Sequence, residues 1–209
     1  MGLISRVVRY WLASSGTKER LRSRMESLAP LYKNKYVPLR DLARQGVEDV
    51  VRRLDFLKRE ADGRVIDIGC YDGFFAVEIA RQGKEVVGVD LIDRCCRLSY
   101  WQAAGSMYPF HVVKSYSEGL PFRDGSFDTA ILSHTLEHVF DPALTIEEAA
   151  RVTRSGGKLI TLVPPSLGNS PAHLRYIPLS GLKEMLSPYT VSDREVHVGD
   201  GLGFVSVLR

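Results

Sequence analysis

The sequence predicts an α/β fold: a doubly wound, mostly parallel sheet with helices on both faces, preceded by a helical N-terminal extension. Three observations point there. From about residue 62, short apolar runs alternate with stretches of helical period, as happens when crossover helices join parallel strands. The first of these runs, Val65 to Ile68, enters a glycine turn that opens a helix at Phe74. The chain, with 209 residues, 44% of them hydrophobic and 25% charged, is long enough and apolar enough to bury a sizeable core.

The elements follow in order. Val47, Val50, Val51, Leu54 and Leu57 fall at the i, i+3, i+4, i+7 spacing of an amphipathic helix, which Asp62-Gly63 ends. Strands are then expected at 65–68, 86–89, 111–113 and 129–132, with helices at 74–81 and 95–103 between them. Asp141-Pro142 supplies an N-cap and a first-turn proline for a helix ending near Arg154, and Gly156-Gly157 turns the chain into a buried strand at 158–163. Pro164-Pro165 closes that strand. A loop follows, then a helix that Ser180 caps and Pro188 ends. Last come two strand-like runs at 195–198 and 204–208, joined as a hairpin by Gly199-Asp200-Gly201. Residues 1–60 are read as the helical extension, a lid or a substrate or dimer contact, and 61–209 as the sheet domain.

No stretch reaches the roughly 18 apolar residues of a membrane span, and the N-terminus lacks the apolar block of a secretory signal. Cys70, Cys95 and Cys96 are too few and too badly spaced for a disulfide framework, which fits a reducing cytoplasm. Charge is uneven: residues 1–60 carry fourteen Lys/Arg against seven Asp/Glu, or +7, leaving −4 to the rest of a chain whose net charge is +3. Acids interleaved with those basic residues favour a solvated helical face over a binding surface for an anionic partner.

The chemistry concentrates in Val65-Ile66-Asp67-Ile68-Gly69-Cys70-Tyr71-Asp72-Gly73-Phe74-Phe75. Gly69 and Gly73 let the backbone reverse close to a ligand, and amides at a helix N-terminus suit a carboxylate or phosphate. The next strand, Val86-Val87-Gly88-Val89-Asp90, ends in an acid 21 positions after Gly69, near the interval of about 20 at which such folds place a ribose-binding carboxylate. A nicotinamide dehydrogenase would need G-x-G-x-x-G, but Gly69, Tyr71 and Phe74 hold those places. His134-Thr135-Leu136-Glu137-His138 matches the zinc motif H-x-x-E-H on spacing. Its position after a short buried strand, with no evident third ligand, argues against zinc, and no metal is expected.

Taken together, five blocks resemble the class I methyltransferases, especially the group of ubiquinone-type and small-molecule methyltransferases: the glycine loop; Asp90; Leu120 to Asp128; Leu136-Glu137-His138-Val139; and Arg151-Val152-Thr153-Arg154-Ser155-Gly156-Gly157. The resemblance implies a Rossmann-like seven-stranded sheet with an antiparallel last strand, and an enzyme that uses S-adenosylmethionine. It also implies cofactor contacts at Asp67, the turn made by Gly69, Cys70, Tyr71 and Gly73, Asp90 and Leu91. Ser117 would lie near the adenine, and Ser133 and His134 beside the methionine end. The chain departs from the family pattern at Tyr71, where a glycine is usual, at Tyr116, where an acid reads the adenine amine, and at Ser155, where a proline is usual. Glu118 is the substitute acceptor for adenine.

Methyl displacement asks mainly for positioning. His134, just past the fourth strand at the carboxyl edge of the sheet, is the first candidate base, and His173 the second. Each also reads as pocket wall. A small-molecule or lipid-like acceptor is expected, with His173, Arg175 and Tyr176 lining its pocket. RNA is the alternative, suggested by the basic first third, and a non-catalytic cofactor-binding protein is the other. Leu3, Ile4, Val7, Val8, Trp11 and Leu12, with Arg6 and Arg9, suit a lid, a homodimer contact or an anionic membrane surface.

Overall fold

The computed structural model describes residues 38–104, 107–108, 110–167 and 173–209. The expectations for the apolar and basic first helix fall outside the described residues.

The elements are α1 (Leu39–Arg44), α2 (Glu48–Glu60), β1 (Val65–Ile68), α3 (Phe74–Ala80), β2 (Val86–Asp90), α4 (Asp93–Ala104), β3 (Phe110–Lys114), β4 (Phe127–Ser133), α5 (Pro142–Val152), β5 (Thr153–Val163), α6 (Leu179–Leu186), β6 (Thr190–Val198) and β7 (Gly201–Leu208). They build one seven-stranded sheet in the order β3-β2-β1-β4-β5-β7-β6. The strands from β1 to β5 pair in parallel, and β7 runs antiparallel between β5 and β6, as the resemblance implies. Short β-branched runs such as Val65-Ile66-Asp67-Ile68 form the centre because helices cover both faces; all four residues of β1 are buried.

Strand alternation sends successive side chains to opposite faces. Val65, Ile131 and Ile160 pack with Val50, Phe56 and Leu57 of α2 and with Phe74, Phe75 and Ile79 of α3. Ile66, Ile68, Ala130, Leu132 and Leu159 meet Ile146, Ala149 and Val152 of α5 and Leu182 and Leu186 of α6. Leu39 and Leu42 of α1 join the first cluster, so residues 39–60 share the sheet's core. No helix among the described residues is long and apolar enough to cross a membrane.

Three local readings change. Helix α5 stops at Val152, two residues before the expected end, because Thr153 already pairs with Phe127; the register shift that follows puts Gly156-Gly157 inside β5 rather than before it. Ser180 lies in the first turn of α6, whose N-cap is Pro178 with no side-chain cap. The hairpin holds, but its strands are longer and its turn is Gly199-Asp200, with Val198 opposite Gly201. Gly199 has φ +61°, and the Asp49 carboxylate occupies the space its Cβ would need. The Asp200 amide donates to Asp49 Oδ1 at 2.9 Å, so α2 clamps the end of the hairpin.

Helix α5 starts as expected, with Asp141 accepting from the Leu144 amide at 3.0 Å and Pro142 in the first turn. Its far end is held by Arg151, which pairs with Glu148 at 2.7 Å and donates to the carbonyls of Leu120 and Phe122. Glu148 in turn accepts from the Leu120 amide at 2.8 Å. This half-buried network pins the loop between β3 and β4. Truncating Arg151 to Ala leaves the Glu148 carboxylate buried without its charge partner, and it is expected to lower the unfolding free energy by about 3 kcal/mol, read as a fall in urea midpoint. A change within about 0.5 kcal/mol, the range of ordinary surface substitutions, contradicts that role.

Candidate functional site

Chain direction reverses its progress across the sheet at β1: β2 and β3 extend one way, β4 and β5 the other. Crevices for ligands in open α/β sheets form at such a point, outside the carboxyl ends of the strands. Asp67, the Gly69 to Gly73 turn, Asp90, Ser133 and His134 lie on β1, β2 and β4 or just after them.

The turn after β1 is tied to β2 by its own backbone. The amides of Gly69 and Cys70 both donate to the Val89 carbonyl, at 2.7 and 3.0 Å, and the Tyr71 amide donates to Asp90 Oδ2 at 3.0 Å. Gly69 has φ +78°, and a Cβ on it would lie 2.6 Å from the Thr135 hydroxyl, which itself donates to the Ile68 carbonyl at 2.8 Å. The loops after β1 and β4 thus interlock through a missing side chain. Gly73 donates to the Cys70 carbonyl at 2.9 Å, and Phe74 to Asp72 Oδ1 at 3.1 Å. The amides at Gly69, Cys70, Tyr71, Gly73 and Phe74, read from sequence as donors for a ligand anion, therefore have protein acceptors.

Asp90, at the end of β2, accepts from Tyr71 through one oxygen and from the Ile92 amide through the other, at 2.9 Å. Burial pushes its carboxyl up to about 6. Asp67, on β1 and 4% exposed, is pushed up to about 7 by burial and then by the charges of Asp90 and Asp72. Two acids at the crevice, with Asp72 buried nearby, make it a place for a cation. Cys70 is buried behind them, its thiol 3.6 Å from the Ser99 hydroxyl, and burial raises its pKa. Leu91 is half-buried beside Asp90.

On the β3 side, Ser117 donates to Glu118 Oε2 at 3.0 Å and lies 3.2 Å from the Thr145 hydroxyl. Glu118 is buried and turned inward: Oε1 accepts from the Phe140 amide at 3.0 Å, so its carboxylate holds the approach to α5. Tyr116 is exposed.

At the end of β4, the buried Ser133 hydroxyl has no hydrogen-bond partner among the described residues, nor does His134 Nε2. His134 and Tyr71, at φ 55° and 52°, are the two non-glycine residues with left-handed backbone among the described residues, and both sit at this crevice. Such strain costs about 1–2 kcal/mol per residue and collects where function holds it in place. His134 Nδ1 lies 3.7 Å from Glu137 Oε1, and Nε2 lies 3.6 Å from Asp200 Oδ1. Burial, followed by the nearby Arg53 charge, lowers its imidazole to about 3, which keeps the ring neutral. Arg53 reaches this region from α2, paired with Asp49 at 2.7 Å. Glu137, 1% exposed, has no other residue hydrogen-bonded to either carboxylate oxygen among the described residues, and burial pushes it up to about 7. Residues 134–138 form turns, not the helix that the zinc motif requires, so His134 and His138 do not share a helical face. His173 arrives beside His138, ring centroids 4.9 Å apart, with Nδ1 on the Leu167 carbonyl at 2.6 Å. Arg175 donates to the carbonyls of Val139 and Phe140, and Tyr176 is exposed.

Residues 66–161 match the methyltransferase domain family. The chain is 31% identical over 160 residues to a ubiquinone/menaquinone biosynthesis C-methyltransferase of Geobacter sp. strain M21, covering 73% of this chain and 66% of that one. The chain belongs to the class I S-adenosylmethionine-dependent methyltransferases. It is also 38% identical over 109 residues to an uncharacterized methyltransferase of a Mycobacterium species, covering 52% of this chain and 42% of that one. Among solved structures, a methyltransferase from Aquifex aeolicus superposes at a TM-score of 0.63 with 17% identity, covering 83% of this chain and 100% of that one, which speaks for the fold. The chain spans about half the length of the Mycobacterium relatives and about two thirds of the Geobacter ones.

S-adenosylmethionine, the cofactor this family implies, fits the methyltransferase crevice on three counts. The Asp90 carboxylate is held by backbone amides at the end of β2, where a ribose would lie. The acids Asp67 and Asp90, with the buried charge of Asp72 behind them, suit a ligand carrying a sulfonium and an ammonium group. Ser133 ends β4 beside the crevice and His134 follows it, with a buried hydroxyl and a buried ring nitrogen that have no hydrogen-bond partner among the described residues.

Sequence reasoning missed Asp49, Arg53 and Asp200. Their roles arise from contacts across as many as 151 positions, for which a lone acid in a helix or a hairpin turn carries no local signal.

Proposed function

We propose that this methyltransferase transfers a methyl group from S-adenosylmethionine to a small-molecule or lipid-like acceptor, and that the Asp90 carboxylate carries the reading. Backbone amides bond both of its oxygens, which fixes the carboxylate plane at the place where vicinal ribose hydroxyls would donate to it. Asp67 faces the ammonium of the methionine moiety, while Gly69, Cys70, Tyr71, Gly73 and Leu91 line the cofactor. Ser117 lies toward the adenine, with Glu118 shaping that wall through Phe140. Bound there, the cofactor supplies an electrophilic methyl group.

The chain's own part is to orient the acceptor and exclude water. Ser133 and His134 stand at the acceptor rim, and burial keeps the His134 ring neutral there, the state in which an imidazole can take or align an acceptor proton. The relatives named for ubiquinone and menaquinone biosynthesis support a lipid-like acceptor, since those products carry long apolar tails.

Replacing Asp90 with Ala is expected to weaken S-adenosylmethionine binding at least tenfold, or about 1.4 kcal/mol, with the circular dichroism spectrum unchanged. Calorimetry that gave the wild-type affinity would remove the basis of the assignment. The same carboxylate sets a pH dependence. Burial raises Asp90 to about 6 and Asp67 to about 7, so both take up protons as pH falls from 8 to 5 and lose the charge the cofactor needs. Affinity for S-adenosylhomocysteine should therefore drop by about tenfold across that interval. A constant or rising affinity on acidification is the contrary result.

A further inference from the structure

We propose that Glu137, His138 and His173 bind a divalent first-row transition-metal ion at the rim of the crevice. One ligating atom from each lies within 4.8 Å of the others, although His173 is 35 positions from His138. Backbone pairing produces the meeting: the Leu174 amide donates to the Glu137 carbonyl at 2.8 Å, which lays His173 beside His138.

Two further observations point to a cation. The Glu137 side chain is 1% exposed, and neither carboxylate oxygen has a hydrogen-bond partner among the described residues. Buried carboxylates are ordinarily satisfied by donors or by metal, because desolvation without a partner is expensive. Arg53, whose charge Glu137 feels, is itself paired with Asp49. Second, His173 Nδ1 sits 2.6 Å from the Leu167 carbonyl, a contact that places the ring proton on Nδ1 and leaves Nε2 as a lone-pair donor. A backbone carbonyl on the second ring nitrogen is the usual orienting partner of a metal-bound histidine.

Two imidazole nitrogens and one carboxylate oxygen suit zinc, cobalt or manganese better than magnesium or calcium, which prefer oxygen. Ligands about 2.1 Å from a tetrahedral ion stand about 3.4 Å apart, so the three side chains close by about an ångström on loading. Three protein ligands leave a position open. An acceptor oxygen could take it, next to His134. That consequence rests on the proposed methyl transfer; the metal site does not.

The test uses the full chain, untagged, stripped with chelator and titrated with Zn2+ by calorimetry in the absence of S-adenosylmethionine. About one equivalent is expected to bind, with affinity falling at least tenfold in His173→Ala and in Glu137→Gln and unchanged in His111→Ala, whose side chain is exposed on β3. Thermal melting and S-adenosylhomocysteine affinity, recorded on the same variants, report folding and the cofactor site separately. Loss of zinc in a folded His173→Ala that still binds S-adenosylhomocysteine supports the site. No saturable zinc binding by the wild type, undiminished binding by folded His173→Ala and Glu137→Gln, or loss in His111→Ala overturns it.

Discussion

The junction between β1 and β2 governs the molecule. One carbonyl, Val89, receives the amides of Gly69 and Cys70, and the next residue, Asp90, receives that of Tyr71. These bonds fold the loop after β1 over the end of β2 and hold the Asp90 carboxylate in the crevice. An acid so placed is fixed through both oxygens before any ligand arrives, which is preorganisation in a literal sense. The arrangement requires a glycine at 69, because Thr135 from the neighbouring loop fills the space of a side chain.

Strain and buried charge gather around that junction. Tyr71 and His134 hold left-handed backbone at opposite sides of the crevice. Asp67 and Glu137 are buried carboxyls whose pKa values burial drives toward neutrality. A protein maintains such groups when the surrounding packing is rigid, and here the two hydrophobic layers on either face of the sheet supply that rigidity. The N-terminal side takes part, since α2 carries both the core residues Phe56 and Leu57 and the Asp49–Arg53 pair beside His134.

What the sequence made legible is local. The glycine turn, the strand ending in Asp90, the Asp141-Pro142 helix start and the Gly199-Asp200 hairpin each rest on a few adjacent residues whose conformational preferences agree. Boundaries shifted where tertiary pairing prevailed, as at Thr153, drawn from helix into strand by Phe127. Side-chain partners were the least legible. The Glu118 carboxylate accepts from the Phe140 amide, 22 positions on, a contact that no local pattern announces. His173 had no visible connection to Glu137 and His138, because the backbone bond that joins them spans 37 positions and carries no pattern.

The most direct test of the central claim is a crystal structure of the chain with S-adenosylhomocysteine. The account places the ribose hydroxyls within hydrogen-bond distance of Asp90, the amino-acid tail between Asp67 and the Gly69 bend, and the sulfur directed toward His134. Clear density for the ligand elsewhere, or a crevice closed by side chains at saturating ligand, contradicts it.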